Sequence, residues 1–265
     1  MRALSLVLSF CATAAFAQLG APNQAPPGVP RTWTLGGQSF GPALSGHFQG
    51  VQDGQPMDLD LERDLGLGKD KLTPGFFLDY QGPRFAFQIS NGATDYRGDR
   101  IVTRTVTVDG TSYTAGTRVQ SHVKLASVDA TWTIKFVRET DAWLGLDLGV
   151  QAWTMDLDAV SVPPVGSPVA SRTRVTAPIP QIGLSGGSRG YNGAVEAKAY
   201  VHYLGYRSAK YTLYGADLRI YPVSWFGLRA FYEGGSFDVP KGSIQDDLEV
   251  KLDRKGVGFG AVVRF

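Results

Sequence analysis

The residues able to do chemistry in this chain fall on one face of a series of alternating segments. Acidic Asp79, Asp129, Asp147, Glu196, Asp217 and Glu233 stand against basic Arg84, Lys135, Lys198, Arg219, Arg229 and Arg264, so the signs nearly cancel. Gathered inside a narrow enclosure, such charges must be paired and hydrogen-bonded, because an isolated buried charge is very costly. Two outcomes fit: an ionic network that fills the interior and fixes strand register, or a polar pore that selects a small solute. Elsewhere the chemistry is sparse. Asp58 and Asp60 alternate in Met57-Asp-Leu-Asp-Leu-Glu-Arg-Asp-Leu-Gly66, which reads as a cation site or, more simply, as a solvated strand extension. The three histidines, His47, His122 and His202, are scattered, and lone histidines are more often structural than catalytic.

The elements that carry these residues alternate with a period of two, the signature of strands. In Ser127 to Phe136, Val128, Ala130, Trp132, Ile134 and Phe136 face one way, while Asp129, Thr131, Thr133 and Lys135 face the other. Leu144, Leu146, Leu148 and Val150 then alternate with Gly145, Asp147, Gly149 and Gln151. The same pattern places Phe76, Leu78 and Tyr80 opposite Phe77 and Asp79, and Phe85, Phe87 and Ile89 opposite Ala86, Gln88 and Ser90. Later segments set Val195, Ala197 and Val201 opposite Glu196, Lys198 and His202, Leu218 and Ile220 opposite Asp217 and Arg219, and Leu228 and Ala230 opposite Arg229 and Glu233. Pro178 and Pro180 leave the extent of the strand near Arg172 to Ser185 open. Between the strands, short turns such as Gln81-Gly-Pro-Arg84 alternate with longer polar segments; the one from Asp95 to Gly116 carries a small hairpin of its own around Asp109-Gly110. Tyr80, Trp132, Phe136, Trp143, Tyr221, Trp225, Phe226 and Phe265 sit at strand ends beside the short turns, where an interfacial aromatic girdle would lie.

The chain ends carry an address. Met1 to Ala17 has one basic residue, Arg2, then an apolar run too short to span a bilayer, then Ala15-Phe-Ala17, a small-x-small cleavage site. Residues 1–17 are therefore expected to be a signal peptide, and 18–37, centred on Ala25-Pro-Pro-Gly-Val-Pro30, a periplasmic lead-in to a barrel domain at 38–265. Phe10 stands where a lipoprotein signal before Cys11 needs a small residue. Without Cys11, the single cysteine, the mature chain has no thiol for metal or disulfide chemistry, and no cofactor or metal is implied. Loss of Arg2 takes the formal charge from +2 to +1 (2 − 1), which implies no nucleic-acid partner. No later stretch has the run of about 18 apolar residues of a membrane helix, and the 33 glycines fit strands and tight turns.

The last stretch, Lys255 to Phe265, alternates Val257, Phe259, Ala261, Val263 and Phe265 against Gly258, Gly260, Val262 and Arg264. A strand of this kind ending on an aromatic resembles the outer-membrane β-barrel proteins of Gram-negative bacteria. That resemblance implies an all-β, transmembrane, antiparallel up-and-down barrel in the cell outer membrane, here of about ten strands, with eight or twelve as alternatives. It also implies outer-membrane lipid as surroundings, a monomer, and an assembly machinery that reads Val257, Phe259, Val263 and Phe265. The charged faces then become the lumen and the apolar faces the lipid side.

Two enzyme families are met in part. Phe87-Gln-Ile-Ser-Asn-Gly92 is similar to the His-x-Ser-Asn-Gly stretch of outer-membrane lipid A deacylases and aligns Ser90 with the nucleophile, but Gln88 replaces the histidine, and an amide is no general base. The outer-membrane aspartyl-type proteases pair acidic residues with an Asp-x-His; here Asp156-Leu-Asp158 is present, but Tyr200-Val-His202 stands for the other half. The reading that follows is a barrel with a structural or surface-interaction role, with small-solute passage as the alternative and enzyme activity behind both.

Overall fold

The computed structural model describes residues 31–52, 55–67, 72–108, 110–162, 167–206, 208–242 and 248–265. The expected signal peptide and all of the lead-in before residue 31 lie outside the described residues. Thirteen strands follow in order among the described residues: β1 (Thr32–Gln52), β2 (Gln55–Asp60), β3 (Thr73–Gln81), β4 (Phe85–Ile101), β5 (Val106–Val108), β6 (Thr111–Tyr113), β7 (Arg118–Arg138), β8 (Ala142–Ser161), β9 (Ala170–Gly190), β10 (Val195–Tyr206), β11 (Ala209–Val223), β12 (Phe226–Val239) and β13 (Leu248–Arg264). Ten of them close a ring in the order β1, β3, β4, β7, β8, β9, β10, β11, β12, β13, each antiparallel to its neighbours. Closure runs from Thr34↔Arg264 to Gly50↔Leu248, and Trp33 and Phe265 exchange both backbone bonds at 2.8 and 2.9 Å. Ring closure leaves no end strand of the sheet unpaired, and backbone groups inside a bilayer must be satisfied by such pairing.

Strand β1 begins at Thr32, inside the segment expected to be lead-in. Its Gly36, Gly37, Gly41 and Pro42 have weak strand preference, and the partner strand supplies the order that local preference does not. A Cβ at Gly36 would lie 2.2 Å from the Phe77 ring, and one at Gly258 would lie 2.2 Å from the Phe231 ring, so these two glycines make room for aromatic rings in the lumen. Pro178 and Pro180 are tolerated because β9 pairs with β10 only from Ile182 downward; above that point β9 is an edge on this side.

On the outer wall, side chains align in rows. Phe85, Ile134, Leu146 and Leu184 form one; Phe87, Trp132, Leu148 and Ile182 the next; then Ile89, Ala130, Val150 and Pro180. From Phe136 to Ala126 along β7 the surface is apolar, a height of about 26 Å at a rise of about 3.4 Å per residue and a tilt of about 40°, which matches a bilayer's hydrocarbon layer. Immediately above runs Asp95, Lys124, Asp156, Arg174, then Arg97, His122, Asp158, Arg172: a ladder of cross-strand charges that marks the membrane boundary. No helix among the described residues is long and apolar enough to cross a membrane.

The aromatic girdle at the short-turn end is partly as expected. Trp132, Phe136, Trp225 and Phe265 are exposed on the outside, and Tyr80 packs on Trp33 at 4.8 Å. Trp143 and Tyr221 depart from it: both point inward, where Lys135 Nζ lies 4.8 Å from the Trp143 ring and the Arg264 guanidinium 3.9 Å from the Tyr221 ring.

Candidate functional site: the lumen

The strand pleat sends the lumen residues inward in three tiers. Nearest the short turns is an ionic tier. Arg219 sits between Asp79 at 2.8 Å and Asp217 at 3.3 Å, and Asp217 also accepts a 2.6 Å bond from Arg229. The Arg229 guanidinium lies 4.3 Å from each of the Phe77 and Phe231 rings and donates to Gln38. Gln81 donates to Asp79 at 3.0 Å and accepts from Lys135 at 2.9 Å. Below these, Glu196 receives Arg189 and Arg264, both at 3.1 Å, and the Tyr221 hydroxyl. Arg264 also donates to Gly193 O and Ser224 O, which ties β13 to two turns.

The middle tier is a small polar cavity of about 70 Å³, lined among others by Gln88, Asp129, Gln151, Lys198, Tyr200, His202, Glu233 and Arg254. Asp147 accepts from Thr133 at 2.6 Å, Ser185 at 2.7 Å and His202 at 2.9 Å. Asp129 accepts from Thr131 and Gln181, Glu233 from Tyr200 and Arg254, and Gln88 from Lys198 at 2.9 Å.

The outermost tier is apolar. Leu59, Leu61, Leu65 and Leu67 from β2 and its following turn, with Val106, Val108 and Tyr113 from the β5–β6 hairpin, pack inside the mouth against Phe48, Val123, Leu125, Trp153, Leu157 and Leu213 of the wall. Strand β2 pairs with the upper part of β1, and β5 pairs with β2, so the hairpin is hung from the barrel wall. Arg104 fastens it by 2.5 Å bonds to Asp58 and Asp64, and the Tyr113 hydroxyl reaches Ala159 O and Ser171 across the mouth. Burial pushes the Asp64 carboxyl up, but bonds from Arg104 and Arg63 outweigh it and hold Asp64 below its ordinary 3.8.

Of the charges expected inside, Asp79, Asp129, Lys135, Asp147, Glu196, Lys198, Asp217, Arg219, Arg229, Glu233 and Arg264 face the lumen, and Arg84 does not: it is exposed in the turn before β4. Arg189, Arg254, Gln38 and Gln81 belong to the lumen and were missed; for Arg254 and Arg189 the signal was available, since each keeps the inward parity of its strand. The Met57 to Gly66 segment is only partly solvated: Glu62 and Arg63 are exposed. Asp58 is taken by Arg104, Asp60 caps the turn by accepting from Arg63 N at 2.7 Å, and the leucines are buried. No group of three or more His, Cys, Asp or Glu side chains among the described residues is arranged to hold a metal. Val257, Phe259, Val263 and Phe265 lie exposed on the lipid face of β13.

Neither enzyme pattern is assembled. Ser90 faces the cavity, but its neighbour in the motif, Gln88, is engaged by Lys198. Asp156 and Asp158 point outward on β8, where they meet Arg174 and Arg172, while His202 is inside on β10, so the barrel wall separates them.

A closed ten-stranded ring, an apolar belt of bilayer height and a polar interior define an outer-membrane β-barrel. The fold is similar to that of the outer membrane protease OmpT from Escherichia coli, with a TM-score of 0.62 at 10% identity over 93% of this chain and 99% of that one. The translocator domain of autotransporter NalP from Neisseria meningitidis (TM-score 0.40, 10% identity, 97% and 95% covered) and Ail of Yersinia pestis (TM-score 0.33, 14% identity, 88% and 99% covered) are more distant. No protein-family model matches the chain, and no curated protein does. The likeness to OmpT is one of fold alone.

Proposed function

We propose that this outer-membrane barrel is closed to solutes and acts through its structure or its cell-surface face. The observation that carries the reading is the buried apolar tier: the leucines of the Leu59 to Leu67 segment fill the mouth, and a dry apolar plug gives ions and sugars no hydrated route. Beneath it, Arg219 and Arg229 cross the lumen to carboxylates and glutamine on other strands, a second obstruction. Such a barrel offers the medium its tall β4, β7, β8 and β9 wall and its rim hairpins. The alternative, passage of a small solute, is favoured by the polar cavity between the two obstructions, and it requires both to open. Solute uptake by proteoliposomes decides between them. The closed reading expects swelling rates in small sugars and amino acids equal to those of protein-free vesicles; porin-like rates would overturn it.

A further inference from the structure

Above Ile182, β9 parts from β10: their last pair is Ile182↔Tyr203, while the pairing of β9 with β8 continues to Val160↔Ala170. Val169 O accepts from Ser161 N of β8, so by alternation the odd-numbered residues of β9 turn their backbone groups to β8 and the even-numbered ones turn theirs to the free side. At the depth of the apolar belt the free side holds Pro178 and Pro180, which have no N–H to satisfy in lipid. From Thr176 upward, at and beyond the membrane boundary, this guard ends. Ala170, Arg172, Arg174 and Thr176 present both N–H and C=O there, and none of these groups has a hydrogen-bond partner among the described residues. The opposite edge of the same wall is treated differently. Above Gly92, β4 has no strand on its β3 side, but Tyr96 donates to Pro42 O and Arg100 to Glu62 O, both at 3.1 Å, and a Cβ at Gly98 would lie 1.9 Å from Leu65 O. No such contact reaches the β9 edge among the described residues.

We propose that the β9 edge from Ala170 to Thr176 receives an extended acidic segment of another protein, which extends the wall as a further antiparallel strand. An uncovered edge is a template for a strand, and the side chains beside it choose which one. Arg172 and Arg174 point outward here, with side chains 72% and 69% exposed, and their Nε atoms lie 3.3 and 3.4 Å from Asp158 and Asp156 on β8. The arginines are thus drawn toward β8 and leave the backbone edge open. In an antiparallel pair, the residues that exchange bonds with Arg172 and Arg174 carry their side chains on the same outer face, where carboxylates suit the two guanidinium groups. Intervening residues point inward beside Thr173 and Val175, where small apolar side chains fit. A second copy of β9 is disfavoured, because the registers that pair most of this stretch set arginine against arginine. The inference rests on the surface-interaction reading and gives its partner a chemistry.

The test is fluorescence anisotropy of a labelled seven-residue peptide of alternating valine and glutamate, titrated with the full chain folded in detergent. Saturable binding is expected. It should weaken at least tenfold when lysine replaces glutamate, and when the glutamate nitrogens, which face β9, are methylated; methylation of the valine nitrogens, which face away, should change it little. Thr176→Pro removes one N–H from the free edge and none from the β8 ladder, and it should also weaken binding at least tenfold. The proposal is overturned by absence of saturable binding, by equal binding of the lysine peptide or of the peptide methylated at glutamate, or by unchanged affinity in Thr176→Pro. A dimer of the unaltered chain that Thr176→Pro abolishes, with no peptide bound, would overturn it in favour of a second copy. Should Thr176→Pro fail to fold, the two methylated peptides on the unaltered chain decide. Failure here is distinguishable from failure of the closed-lumen reading: lost peptide binding leaves the swelling result unchanged, and porin-like swelling leaves the edge and its peptide in place.

Discussion

The two ends of the lumen are packed by opposite physics. At the short-turn end the barrel fills itself: charged and aromatic side chains from the wall strands, whose direction the pleat decides, meet in the centre and reach the carbonyls of the adjoining turns. At the open end the wall strands present an apolar lining instead, and the filling comes from loops that fold back into the mouth. An ionic tier is stiff and specific but fragile to any unpaired charge, since breaking one partner leaves the other desolvated. An apolar tier tolerates repacking, and each lost side chain costs its burial and the cavity it leaves. The contrast teaches that the barrel's walls and its plug are separable constructions, joined where β2 pairs with β1, where Ser121 and Arg100 donate to Leu65 O and Glu62 O, and where Tyr113 donates to Ala159 O.

The largest effect should come from breaking the ionic tier. Arg219→Met leaves Asp79 with only Gln81 as a hydrogen-bond partner and should cost about 3–5 kcal/mol in urea unfolding from detergent. Adding Asp79→Asn to Arg219→Met should recover much of that loss; a double variant as weak as the single would mean that the tier is not held by charge pairing. At the other end, Leu65→Ala should cost about 2–5 kcal/mol, as for other fully buried leucines. It should also expose the Leu59 to Leu67 segment to added protease while the barrel core stays resistant. Uniform loss of protection would show that plug and wall unfold as one unit.

How much of this was legible in the sequence follows from the same contrast. In β7 every second residue from Asp129 to Lys135 is polar and every other one apolar, so the wall and most of the ionic tier could be read from parity. Trp143 and Tyr221 misled because an aromatic beside a turn resembles a girdle residue, yet parity alone already put both on the charged face. The plug was illegible for a physical reason. Leu59, Leu61, Leu65 and Leu67 lie among Asp, Glu and Arg in a connecting segment, and nothing local distinguishes a loop that turns into the mouth from one that leans into solvent. The partners that decide the matter, Arg104 and Tyr113, lie some forty residues or more further on, along a contact that no periodicity reports. The same holds for β1, whose first residues look like linker until β3 and β13 are beside them.

A smaller effect separates the wall from both fillings. Leu148→Arg places a charge near the middle of the apolar belt and should cost about 2–4 kcal/mol. Measured again in the Leu65→Ala background, the penalty should be the same, because the lipid face does not sense the plug; strong non-additivity would contradict the separation. The smallest effect is set by pH. Asp64 is held below its ordinary 3.8 by Arg104 and Arg63, so its contribution to the plug is complete above that value and is lost as pH falls through the lower folded value. Protease accessibility of the Leu59 to Leu67 segment should therefore rise below about pH 4, the ordinary carboxylate range, and this dependence should vanish in Asp64→Asn.

The most direct test of two independent obstructions is conductance in planar bilayers, recorded for the unaltered chain, for a chain with the four plug leucines changed to serine, and for that chain carrying Arg219→Met and Arg229→Met as well. The account predicts no discrete current steps from the first two and steps from the third. Regular steps from the unaltered chain would contradict it outright, and steps from the plug variant alone would show that the ionic tier does not close the lumen.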